Sequence, residues 1–136
     1  MISKVTHMCV YVLNQESAAD FYTNKLGFNV KIDVPMGPDT RWLTVTPPEQ
    51  SDLEITLFPL IAGKMFTEEK IKMLKELVSS GTFGPCVFSC NDIYATYEEL
   101  KGKGVEFIKP PTKEFFALEA LFKDDSGNFF SLQQRT

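Results

Sequence analysis

The stretch from Val5 to Leu13 is apolar and β-branched, which predicts a strand. Asn14 stands where a helix N-cap belongs. Ala18, Tyr22 and Leu26, with Phe21 beside them, then form a helical stripe that ends at Gly27. Phe28 to Val34 predicts a second strand, closed by the breaker Pro35-Met36-Gly37-Pro38. Two more strands, Arg41 to Thr46 and Leu53 to Phe58, flank the turn-like run Pro47 to Asp52. The first half therefore reads β-α-β-β-β.

A helix capped by Thr67 is expected to run to Ser80, with Ile71, Leu74, Leu77 and Val78 as its apolar stripe and Gly81 as its stop. The first pattern then recurs. Cys86 to Cys90 reads as a strand, and Asn91-Asp92 as a cap. Ile93, Thr96, Tyr97 and Leu100 mark a helix that ends at Gly102 and Gly104. Val105 to Ile108, Phe115 to Phe122 and Phe129 to Gln133 predict three strands, the last two joined by a tight turn over 124–128.

This internal repeat predicts an α+β domain built from two βαβββ modules. Edge to edge, their mixed sheets would form a curved, incompletely closed barrel with helices outside and a concave face for a ligand. The expected organisation is module one over 1–60, a linking helix over 61–82 and module two over 83–136.

Composition narrows the chemistry. The chain has 136 residues, 14 Lys plus Arg against 18 Asp plus Glu, and a net charge of −4. No basic stripe for nucleic acid is visible, and no apolar run is long enough to span a membrane. The N-terminus has no secretory h-region, and the odd count of three Cys, without a CxxC pair, fits a reducing, cytoplasmic setting. The twelve Phe predict an aromatic core or pocket.

The runs Val5 to Val12, Ala19 to Phe28, Asn91 to Ile93, Tyr97 to Phe107 and Phe122 to Leu132 together resemble the vicinal oxygen chelate superfamily. That superfamily includes glyoxalase I, bleomycin-binding proteins, fosfomycin-resistance proteins and extradiol dioxygenases. The segment Arg41 to Pro48 is most similar to a bacterial glyoxalase-like branch.

The resemblance implies, for metal-dependent members, one divalent ion (Zn, Ni, Fe or Mn) held by residues from the first and fourth strands of each module. On this chain those positions fall at His7, Glu54, Pro85 and Ser131. Proline offers no side-chain donor and neutral serine is a poor ligand, so no cofactor is expected. In the alternative, His7 and Glu54 hold a metal together with substitute ligands such as Gln133 or Glu119.

Strand alternation puts His7, Cys9 and Tyr11 on one face, opposite Met8, Val10 and Val12. Likewise Glu54, Thr56 and Phe58 oppose Leu53, Ile55 and Leu57. With Trp42, Thr44, Thr46, Glu119, Phe129, Ser131 and Gln133, the polar set is expected to face one cavity. Cys86, Phe88 and Cys90 are expected in the helix layer. A lone cavity-facing His serves more commonly as a hydrogen-bonding residue than as a ligand. Glu54 or Glu119, if buried among aromatics, would have a raised pKa suited to a general base.

Three functions follow. One is a metal-free binder of a small molecule, with an acidic aromatic pocket that favours an amphipathic or cationic ligand. A second is a metal-dependent lyase, isomerase or dioxygenase of the glyoxalase type. A third is a metal-free enzyme with Glu54 or His7 as acid or base. A homodimer is expected because free sheet edges invite pairing.

Overall fold

The computed structural model describes residues 1–135. Two compact units, 1–76 and 77–136, divide the chain. Each holds one four-stranded mixed sheet, and the fold is α+β.

In the first unit, β1 (His7–Val12) leads into α1 (Gln15–Asp20), then β2 (Asn29–Gly37), β3 (Thr40–Thr46) and β4 (Glu54–Pro59). The sheet order is β1-β4-β3-β2, with β1 parallel to β4 and the other pairs antiparallel. Asn14 caps α1 by accepting from the Ser17 N–H at 2.8 Å. The helix widens into one π turn over Phe21–Lys25, where the Leu26 N–H reaches the Phe21 carbonyl, and Gly27 at φ 77° ends it. Helix α1 lies on β3 and β4. It buries Ala18, Phe21 and Tyr22 on the face that also carries Val10, Val12, Leu43, Val45, Ile55 and Leu57.

The Pro35 breaker does not close β2, which continues to Gly37. The strand lies at the sheet edge, where a residue lacking an N–H forfeits no ladder bond. The chain reverses at Pro38-Asp39, with Asp39 at φ 62°. Strand β1 starts later than the apolar run suggests: Val5 and Leu13, at its two ends, are exposed. Leu53 precedes β4 and is only half-buried, so Ile55 and Leu57 carry the buried apolar set of that strand.

Helix α2 (Glu68–Ser79) begins after the Thr67 hydroxyl accepts from the Lys70 N–H. Ile71 and Val78 are buried, but Leu77, expected in the stripe, is exposed.

In the second unit, β5 (Cys86–Ser89), α3 (Ile93–Gly102), β6 (Glu106–Lys113), β7 (Leu118–Lys123) and β8 (Phe129–Gln134) repeat the pattern with sheet order β5-β8-β7-β6. Asp92 caps α3 through the Ala95 N–H. Phe88 stacks on Phe130 at 5.0 Å in the layer beneath α3. Two expectations fail here. Strand β6 runs on through Pro110 and Pro111, again at a sheet edge, with its register broken between Lys109 and Thr112. Strand β7 begins at Leu118, not Phe115. Phe115 and Phe116 are exposed at the hairpin tip, so apolar composition alone misassigned them.

Among the described residues no helix is long and apolar enough to cross a membrane.

Candidate functional site

In the first unit, parallel pairing sets His7 opposite Glu54, Cys9 opposite Thr56 and Tyr11 opposite Phe58. Antiparallel pairing adds Thr44 opposite Thr56. Side chains at paired positions share a face, so these residues line the side of the sheet away from α1. Glu54 is the hub. Its Oε1 accepts from the Thr44 hydroxyl at 2.7 Å, and its Oε2 lies 3.2 Å from His7 Nε2. Thr6 Oγ1 lies 2.9 Å from His7 Nδ1, and the Trp42 ring centroid is 6.2 Å from the imidazole. Thr44 is fully buried, whereas the His7 side chain is 41% exposed. The carboxylate is thus anchored from below and open to the imidazole from above, an arrangement in which a proton can pass between Glu54 and His7.

Tyr11, Phe58 and Phe66 form a triangle of edge-on rings with centroids 5.9–6.3 Å apart. Phe66 belongs to the segment before α2, which turns back on itself through the Gly63 N–H to the Phe66 carbonyl. This strap borders a pocket of about 170 Å³ lined by Met36, Trp42, Thr56, Phe58, Met65 and Phe66, among others. Cys9 is an exposed free thiol whose pKa is pushed up by desolvation, which leaves little thiolate at neutral pH.

In the second unit, Glu119, Ser131 and Gln133 come together as β7 pairs with β8. Ser131 donates to Glu119 Oε2 at 2.6 Å, and Gln133 Nε2 donates to Ser131 Oγ at 3.0 Å and to Glu119 Oε2 at 3.4 Å. Lys109 reaches Glu119 Oε1 at 2.8 Å and Glu114 Oε1 at 3.0 Å. Burial pushes the Glu119 carboxyl up, but the hydrogen bonds from Lys109, Ser131 and Gln133 and the Lys109 charge outweigh it and hold the group below its ordinary value. The raised pKa expected of a carboxyl buried among aromatics does not arise at Glu119, whose partners are Lys109, Ser131 and Gln133. Its partner Lys109 is shifted upward, chiefly by the same hydrogen bond.

Sequence reasoning missed Lys109, which the register shift between Phe107 and Lys109 pairs with Leu121, on the same face as Glu119 two residues along β7. It also missed Gln15. That buried amide donates to the Arg41 and Leu57 carbonyls at 2.7 and 3.0 Å and accepts from the Arg41 N–H, tying α1 to β3 and β4. A polar residue directly after an N-cap was the one available signal.

The residues do not fit the family's metal. His7 and Glu54 offer one nitrogen and one carboxylate in the first unit. In the second, Pro85 has no donor, Val87 is the residue paired with Ser131, and the Ser131 hydroxyl is committed to Glu119. Among the described residues no group of three or more His, Cys, Asp or Glu is placed to hold an ion.

The chain is 34% identical to YetH of Bacillus subtilis (strain 168) over 98% of this chain and 100% of that protein. The crystal structure of UcmS2 is 40% identical, with a TM-score of 0.90 and 98% of each chain covered. TnmS3, an antibiotic binding protein from Streptomyces sp. CB03234, is 28% identical with a TM-score of 0.76, over 99% of this chain and 98% of that one. The family model of the glyoxalase/bleomycin resistance protein/dioxygenase superfamily matches residues 4–132, and the chain belongs to that superfamily.

Proposed function

We propose that this protein binds a small amphipathic organic molecule and does so without the divalent ion that the superfamily's enzymes use. The observation that carries this reading is the aromatic pocket of the first unit, where Trp42, Phe58 and Phe66 line a largely apolar space together with Thr56. Binding sites for small molecules are mostly apolar with a few oriented polar groups, and this one has that composition. At about 170 Å³ it suits one ring system of a ligand. The description of TnmS3 as an antibiotic binding protein supports the same class of function. The mismatch of Pro85 and Ser131 to a ligand set argues for a binder over a glyoxalase-type lyase, isomerase or dioxygenase.

The test uses N-phenyl-1-naphthylamine, a neutral apolar fluorophore, alongside elemental analysis. The fluorophore is expected to bind at one saturable site with micromolar affinity, and Phe58→Ala is expected to weaken it. The purified protein is expected to hold substoichiometric metal. Absence of saturable binding, or one tightly held Zn, Ni, Fe or Mn per chain resistant to chelation, would overturn the reading.

The His7–Glu54 contact favours a second reading, a metal-free acid–base enzyme. Its mark would be turnover of a bound molecule that His7→Gln and Glu54→Gln each abolish while binding persists.

We also propose a homodimer. Strands β1, β2, β5 and β6 are edges of their sheets, and the nine-residue β2 exposes Val30, Val34 and Met36. Light scattering at micromolar concentration is expected to show twice the 15.4 kDa chain mass; a monomer alone refutes it.

A further inference from the structure

The net charge of −4 and the carboxylate of Glu54 suggest a cationic ligand, but the pocket itself carries the opposite charge. The charged residues in its lining are Arg41 and Lys64; no carboxylate is among them. Arg41 already faces two carboxylates, its Nη1 lying 2.7 Å from Glu16 and its Nε 3.1 Å from Asp33. Lys64 differs. It sits on the strap between Gly63 and Met65, is exposed, and makes no ion pair among the described residues. Glu54 is not part of the lining, and Thr44 and His7 each engage one of its oxygens.

We infer that the pocket takes a planar aromatic molecule bearing an acidic substituent, with the ring against Trp42 and Phe58 and the anionic group paired to the Lys64 ammonium at the mouth. The inference rests on the small-molecule reading above and names its ligand class. The lining explains both halves of the recognition. Flat rings and the thioethers of Met36 and Met65 accept a ring face or edge. A single long, flexible cation on a turn can follow an anionic group without imposing one geometry. The strap contributes both Lys64 and Phe66, so the residue that reads charge and one that reads the ring belong to the same short segment.

Trp42 is the only indole in the chain and lines the pocket, so its emission reports occupancy directly. Three probes of one shape separate the contributions: 2-naphthoate, 2-naphthylmethanol and 2-naphthylmethylammonium. Quenching of Trp42 is expected for all three, with 2-naphthoate about tenfold tighter than the alcohol, the scale of one charge-assisted hydrogen bond, and the ammonium weakest. Lys64→Met is expected to erase the preference for 2-naphthoate while leaving the alcohol unchanged, and Lys64→Arg to retain it. Equal affinities for the three probes, or a preference that survives Lys64→Met, overturn this inference and leave the binding function standing. Quenching by none of them overturns both.

Discussion

His7 and Glu54 face each other across the parallel pair β1–β4, with Nε2 3.2 Å from Oε2, and the same carboxylate is held from the opposite side by the buried hydroxyl of Thr44. One contact is exposed and the other buried, so they should differ in energetic weight. Glu54→Gln keeps an oxygen for Thr44 and removes only the carboxylate charge beside a half-exposed imidazole. It is expected to change stability by no more than about 1 kcal/mol. Thr44→Val leaves the carboxylate without its buried donor and is expected to cost about 1–3 kcal/mol. Urea denaturation of the two single variants measures both contacts, and a Thr44→Val loss no larger than that of Glu54→Gln would show that the Thr44 bond does not matter.

The apolar layer under α1 sets a larger scale. Ile55 is buried on β4, directly behind the polar face, and takes no part in the pocket lining. Ile55→Ala is expected to cost about 2–5 kcal/mol in denaturation. Where the variant stays folded, its affinity for N-phenyl-1-naphthylamine should drop much less than that of Phe58→Ala.

The Lys109–Glu119 pair should imprint pH on stability. The Glu119 carboxyl is depressed in the fold, so its contribution is present above the ordinary carboxylate pKa and is lost as pH falls through the lowered value. Lys109 is raised, so its contribution is present below the ordinary lysine pKa and disappears as pH climbs through the raised one. Lys109→Met is therefore expected to lower stability by about 1–3 kcal/mol at pH 7. The gap between wild type and variant should close in strong acid. A gap that stays constant from pH 7 down to pH 2 would contradict the assignment.

The β7–β8 turn depends on one carboxylate. Asp124 Oδ1 accepts from the N–H groups of Ser126, Gly127 and Asn128, each at 2.9 Å, and Oδ2 accepts from the Asn128 amide at 3.0 Å. Removing it leaves buried donors unsatisfied, and Asp124→Ala is expected to cost about 2–4 kcal/mol, with Asp124→Asn recovering part of the loss. Gly127 adopts φ 114°, and a Cβ there would collide with the Val78 carbonyl. Gly127→Ala should therefore destabilise at least as much in the same measurement.

The repeat, the caps at Asn14 and Asp92, and the alternation of faces along β1, β3 and β4 are legible in the sequence alone. These are local properties: the two-residue period of a strand and the hydrogen-bonding needs of a helix start are written into neighbouring residues. That is why His7, Trp42, Thr44 and Glu54 could be grouped from alternation before any contact was known. Which side chains meet across strands is not local. Glu119 meets Lys109 because a register shift between Phe107 and Lys109 pairs Lys109 with Leu121, the face-mate of Glu119, and the Glu119 pKa falls where burial alone would raise it. Phe115 is exposed and Phe66 packs on Tyr11, although both are equally apolar in sequence. Pro35 and Pro110 end nothing, because each lies in an edge strand whose missing donor no neighbour requires. Pattern reads the direction of a side chain, while strand order and register, set by contacts distant along the chain, decide what that side chain meets.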